Sequence, residues 1–242
     1  MKRPNKFFFY LTISLFLIQC GNSFTSVHSE KTQTIWSDSL YIKPSREIDS
    51  LYYKNKMWKM DSVFGVKKFI IPKYRLQLLI ALSFFPELKN VQIDFAYKNI
   101  NTTMQCQPTI NSLLKNSKRE YIIYINNNKD FPGVLIDDVP FNAQIGLIGH
   151  EIAHVIDFEK GNRNDVISRG FDYLDESSKK EYEFFVDSLT IAYGLGWQLY
   201  DWSFFSLNNS KSSQEYKDFK KRVYMTPELI LEQIKREKIY RE

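Results

Sequence analysis

The sequence predicts an α+β fold in which a small β-sheet packs against one long helix and a mostly helical part follows. Three observations predict it. Segments between residues 91 and 126 alternate apolar with polar side chains or are rich in β-branched and aromatic ones, as half-buried strands are. Residues 142–158, NAQIGLIGHEIAHVIDF, form a helix-length apolar run, and helix-like segments with their own start signals follow residue 178. The chain has 242 residues, and at roughly 150 residues per domain that is one domain with a tether. With 43% hydrophobic and 25% charged residues, the chain has enough apolar surface to build a core.

In chain order, Lys2, Arg3 and Lys6 precede the apolar run Phe7 to Ile18. Twelve helical residues span about 18 Å, well short of the roughly 30 Å hydrocarbon core, so the run reads as the apolar region of an export signal. No small-x-small cleavage site follows it. The next residues, Leu17-Ile18-Gln19-Cys20-Gly21, resemble a bacterial lipobox, with Gln19 in place of the usual small residue. The expectation is a signal peptide over 1–19, lipidation of Cys20 as a membrane anchor, a flexible tether over 20–45 and a folded domain over 46–242. An ordinary secreted protein with Cys20 discarded or free is the alternative. His28 falls in the tether and reads as a solvated residue. The leader carries three of the formal +5 charges, which leaves +2, and no basic run exceeds a triplet, so there is no electrostatic case for a nucleic-acid partner. With Cys20 acylated, Cys106 has no partner for a disulfide and reads as a small packed side chain.

Short apolar pieces, KKFIIP among them, lead into a helix over residues 73–85 that Pro86 ends. NVQIDFAY (90–97), MQCQP (104–108) and REYIIYINNN (119–128) read as strands. The turns DFPG and DDVP follow, and Asn142 is the expected N-cap of the long helix. After EKGNRND the chain reads as irregular up to Ser178, which with Glu181 fits a capping box for the next helix. That helix runs through Glu183 and FFVDSLTIAY to Gly194 and continues as LGWQLYDWSFF; being apolar nearly all round, it reads as buried. Residues 206–221 read as a loop. Thr226-Pro227-Glu228 supplies a cap, an N1 proline and a first-turn acid for a last helix through Tyr240.

His150-Glu151-Ile152-Ala153-His154 is the pattern H-E-x-x-H. On a helix, positions i and i+4 differ by about 40° around the axis and about 6 Å along it, so both imidazoles can address one metal ion, while Glu151 can reach a water beside it. Two neutral nitrogen ligands, a Lewis acid and a base are what metal-assisted hydrolysis of a peptide bond requires. A third protein ligand is needed. The metzincin extension would place Gly at 157 and His or Asp at 160, where the chain has Asp157 and Lys160, so a carboxylate is expected.

Glu183 and Asp187 lie at i and i+4 among apolar neighbours, where a metal would compensate their burial. In that reading Glu183 binds the ion and Asp187 accepts the second ring N–H of a ligand histidine. Glu181, Glu159 and Asp157 are the other carboxylates nearby. Glu181 is taken as the capping partner of Ser178, Glu159 projects away from the histidine face, and Asp157 suits a local hydrogen bond.

At these residues the chain resembles the gluzincin zinc peptidases, including their small single-domain members, in which HExxH is followed on a second helix by ExxxD. The resemblance covers about residues 142–200 and lies in the two motifs, whose separation is somewhat longer here. It implies a zincin-like fold, a Zn2+ cofactor on His150, His154 and Glu183, and Glu151 as general base. It also implies an oxyanion-stabilising side chain, for which Tyr193, Tyr200, Arg222 and Tyr224 are the candidates. The expected function is hydrolysis of a peptide or protein substrate outside the cytoplasm. The alternatives are a non-catalytic binding lipoprotein that keeps the fold, and a zinc amidase acting on cell-wall peptide.

Overall fold

A computed structural model describes residues 42–114 and 118–241. The expected signal peptide, Cys20 and His28 lie outside the described residues. The folded part begins before residue 46: Ile42 is buried, and the Ser45 carbonyl accepts a hydrogen bond from Gln198 Nε2 at 3.0 Å.

Two short helices, α1 (Ser50–Lys54) and α2 (Met57–Phe64), precede strand β1 (Lys68–Phe69) and helix α3 (Arg75–Ser83). A 3-10 turn over Pro72–Tyr74 enters α3, and another begins at Pro86, so the proline ends the α-helix as its missing N–H requires. Strands β2 (Gln92–Lys98), β3 (Met104–Pro108) and β4 (Glu120–Asn126) fall on the three segments expected, with α4 (Ile110–Leu114) between β3 and β4. The strand order is β1-β2-β4-β3; β1 and β4 pair parallel to β2, and β3 pairs antiparallel to β4 at the edge. β1 was not anticipated from sequence, because two paired residues are too few to show a period. Ile93, Phe95, Tyr121, Ile123 and Ile125 are fully buried on one face of the sheet, the alternation that pins its register.

Helix α5 (Phe141–Lys160) is the centre of the molecule. It packs against α3, β3, and the later helices α7 (Glu176–Thr190) and α8 (Gly196–Phe204). Between α7 and α8 the chain makes a π-helical turn over Ile191–Leu195 with Gly194 at φ 101°, a conformation that side chains with a Cβ rarely adopt. Gly146 of α5 faces the backbone of Gln198 and Leu199 on α8, so close that an added Cβ would overlap the Gln198 carbonyl. No helix among the described residues is long and apolar enough to cross a membrane.

Several local expectations are corrected. Pro140, not Asn142, precedes α5, and Asn142 Oδ1 accepts from the Ile48 amide at 3.0 Å instead. Asp175, not Ser178, caps α7, its carboxylate accepting from the Ser178 amide at 2.9 Å, and Glu181 is exposed. Residues read as irregular form α6 (Arg163–Asp172), started by a capping box of Asn162 with Asp165. The supposed loop 206–221 contains most of α9 (Gln214–Val223), capped by Ser213. The last helix, α10 (Pro227–Arg236), begins at the expected proline and ends before Tyr240, which belongs to a separate 3-10 turn.

The α5–α8 contact makes a paired prediction. Gly146→Ala should lower the unfolding free energy by about 1–3 kcal/mol through overpacking. Gly170→Ala, on α6 with no atom within 4 Å of the new methyl group, should raise it by about 0.5–1 kcal/mol through helix propensity alone. Urea unfolding midpoints measured at unchanged slope check both.

Candidate metal centre

The site is assembled by α5 and α7, whose inward faces meet at His150, His154, Glu183 and Asp187, all at most 5% exposed. The two imidazoles stand one helical turn apart with ring planes at 86° and centroids 4.9 Å apart. Glu183 Oε2 lies 3.1 Å from His150 Nε2 and 3.6 Å from His154 Nε2. One ligand atom from each of the three residues lies within 4.8 Å of the others, so the group is able to hold a metal ion.

The hydrogen-bond network determines which atoms carry protons. Asp187 Oδ1 accepts from His150 Nδ1 at 2.8 Å, and Oδ2 accepts from the Met225 amide at 2.9 Å. Tyr182 donates its hydroxyl hydrogen to Asp157 Oδ2 at 3.1 Å, so at 3.2 Å it accepts the Nδ1–H of His154. Arg169 holds Asp157 in turn, with Nε 3.0 Å from Oδ2. Both Nδ1 atoms are therefore donors, and both Nε2 atoms face Glu183 as the positions that take either a metal ion or a proton. Glu183 Oε1 accepts from Tyr173 OH at 2.7 Å and lies 3.4 Å from Tyr224 OH. Glu183 Oε2 is buried and has no hydrogen-bond partner.

Two ring nitrogens and a carboxylate oxygen thus converge in a buried site, an arrangement that repels itself unless a metal ion or a proton lies between them. The spacing suits such a cation. Two ligands each about 2.1 Å from an ion, at the tetrahedral angle, stand roughly 3.4 Å apart, close to the 3.1 and 3.6 Å seen. Without a metal, a proton must serve. Burial alone would lower the His150 pKa, but Asp187 and Glu183 outweigh it and hold it at about 10. Burial would likewise raise the Glu183 pKa, and the two imidazoles outweigh it, keeping that carboxyl well below its ordinary value.

Glu151, one position round α5, does not join this cluster. Its side chain lines an adjoining cavity of about 70 Å³ together with His150, Leu147, Trp202, Lys220 and Tyr224. Burial raises the Glu151 pKa, with His154, His150 and Lys220 opposing. Of the four candidate oxyanion partners, Tyr224 alone lines the cavity, its ring centroid 5.7 Å from that of His150. Tyr193 bonds Glu87, Tyr200 lies under the Arg46 guanidinium, and Arg222 pairs with Glu176 at the surface. Glu159 bonds Tyr121, away from the site. Cys106 is partly buried on β3, and desolvation raises its thiol pKa well above the ordinary value, which leaves it inert.

Sequence reasoning missed Tyr173, Tyr182 and Lys220. Tyr173 ends a segment read as irregular, where the Asn162–Asp165 box was the available sign of a helix, and Tyr182 lies on the expected helix α7 with nothing in its spacing to mark the contact with His154. Lys220 was hidden by reading α9 as a loop. Ser213 as cap, Glu215 in the first turn and Tyr216, Phe219 and Val223 at helical spacing would have exposed it.

No family model matches the chain, and no curated protein sequence or solved structure matches it either. The residues must carry the functional reading by themselves.

Two measurements follow from this geometry. The purified protein should bind about one zinc ion per chain, and His150→Ala and His154→Ala should each abolish tight binding, whereas Asp157→Asn should not. Metal analysis after dialysis reads this, and full occupancy in both histidine variants would exclude the site. Because metal-free His150 holds its proton up to about pH 10, zinc uptake at pH 8 should release about one proton per chain. Calorimetry in buffers of differing ionisation enthalpy measures that release.

Proposed function

We propose that this chain is a zinc-dependent peptidase of gluzincin type with a zincin-like fold, exported and held at a bacterial membrane through Cys20. The observation that carries the proposal is Glu183 Oε2, buried without a hydrogen bond and facing two imidazole nitrogens whose other nitrogens are tied to Asp187 and Tyr182. His150, His154 and Glu183 would hold the ion and Asp187 would orient His150. Bound there, zinc supplies Lewis acidity, which acidifies water and polarises a carbonyl.

The remaining work falls to the protein. Glu151, which lines the cavity and lies outside the ligand cluster, takes a proton from the attacking water and passes it to the departing amine nitrogen. Burial raises its pKa toward the working range of such a base. Tyr224 OH, beside the ligand carboxylate and on the cavity wall, donates to the carbonyl oxygen as negative charge develops on it. A peptide substrate fits the sheet as well. β3 is an edge strand whose Met104 lines the cavity, and an extended peptide adds naturally to such an edge.

Glu151→Gln should keep zinc and fold but lose roughly 10² to 10⁴ in kcat, and Tyr224→Phe about 10². Cleavage of a mixed peptide library followed by mass spectrometry tests both; normal turnover by Glu151→Gln would rule out the mechanism. For the anchor, Cys20→Ser should abolish labelling by a fatty-acid analogue and shift the protein from the membrane to the soluble fraction or leave it unprocessed. Equal labelling of the serine variant would end that part of the proposal.

A further inference from the structure

One charged side chain in the cavity has no part in the chemistry above. Lys220 lies on the stripe of α9 that turns inward, with Tyr216, Phe219 and Val223, while its neighbours Lys221 and Arg222 are exposed. Its ammonium stands 3.3 Å from the centroid of the Tyr224 ring and 5.5 Å from that of Trp202. These aromatic faces hold the cation in place and neutralise none of its charge. Among the described residues, no carboxylate lies within ion-pair distance of it. Asp187, also on the cavity wall, has both oxygens engaged by His150 and the Met225 amide and acts on the ammonium through its charge alone.

A purely structural role would favour another residue. At an inward position between two aromatic rings, Met or Leu would fill the same volume without desolvating a charge, so a lysine there breaks the local pattern where a function is to be sought. The space beside it is limited. The cavity of about 70 Å³ takes a few waters, at roughly 10–15 Å³ each, or one short side chain. That space also adjoins Glu151, and hence the bond to be broken.

We propose that Lys220 forms an anion subsite that holds a carboxylate of the substrate next to the scissile bond, so that the enzyme selects peptides with an acidic residue or a free C-terminus at that position. The inference rests on the peptidase reading of the same site and adds its substrate class. A charged hydrogen bond to a carboxylate in place of a neutral amide gives an expected preference of about 10- to 100-fold.

The test uses zinc-loaded full chain and alanine hexapeptides carrying one Glu, Gln or Lys at each position in turn, with free or amidated C-termini. Binding is measured by calorimetry on Glu151→Gln, and kcat/KM on the wild type. Expected is a 10- to 100-fold preference for Glu over Gln at one position, kept by Lys220→Arg, lost in Lys220→Met and turned toward the Lys peptide in Lys220→Glu. A preference that survives amidation assigns the subsite to an acidic side chain; one that disappears on amidation assigns it to the terminal carboxylate. Equal binding of Glu, Gln and amidated peptides at every position would overturn the subsite. Turnover of Gln peptides with no acidic preference would do the same and leave the peptidase reading standing. An acidic preference in binding, with no peptide turned over by the wild type, would keep the subsite and remove the peptidase.

Discussion

A buried carboxylate oxygen without a hydrogen bond is the constraint on which the site depends. Leaving a charged group in that condition costs several kcal/mol if nothing compensates it. Around Glu183 the protein does not relieve the problem with a neutral donor: Tyr173 and Tyr224 approach Oε1, while Oε2 is left facing the Nε2 atoms of both histidines. The supports behind those nitrogens run to the far side of each ring. Asp187 ties His150 to the backbone at Met225, and Tyr182, Asp157 and Arg169 form a chain behind His154. Every one of these contacts fixes a ring so that its free nitrogen points inward, which makes sense as the housing of a cation and not as the packing of a core.

Precision of that kind requires rigid elements. The histidines sit in the middle of α5, a helix enclosed by α3, α7, α8 and the edge strand β3. Gly146 lets α8 approach along its backbone, and the π-helical turn with Gly194 redirects the chain between α7 and α8. The carboxylates on α7 and the cavity wall on α8 are thereby set at a fixed distance from the same face of α5. Rigid secondary structure holds the ligands, and the later segments around Tyr173, Lys220 and Tyr224 close over them.

The parts legible in the sequence are those with a short-range signature. H-E-x-x-H and E-x-x-x-D each carry their geometry in the spacing of one helix, and the structure brings His150, His154, Glu183 and Asp187 together. β2, β3 and β4 declared themselves by composition and alternation. What was missed depended on pairing or capping at a distance. β1 exists because β2 lies beside it, and α6 and α9 are polar helices whose stability comes from caps and from one inward stripe. Asn142 was a sound cap by type, yet its side chain is taken by the Ile48 amide, a tertiary contact that sequence spacing does not reveal. Tyr173 and Lys220 came from these misread segments, whereas Tyr182 lies on the expected helix α7.

Charge balance links the site to the cavity beside it. Glu151, Glu183 and Asp187 bring three negative charges, two neutral imidazoles bring none, and Lys220 brings one positive charge. With both imidazoles neutral, two units of negative charge are left over, which a divalent ion would cancel. The balance explains why a lysine can be tolerated on the inward face of α9, where it is half-buried and stands in the field of three carboxylates, although it pairs with none. Burial nevertheless dominates and lowers its pKa to about 8, with Asp187, Glu183 and Glu151 acting in the other direction. Adding the ion removes much of that carboxylate field. A metal-loaded site would then make the lysine charge dearer to keep, and an anion arriving in the cavity would be welcomed most when the metal is already in place. If the proposed metal and the proposed anion subsite both hold, their binding would be coupled through the same three carboxylates, each reinforcing the other.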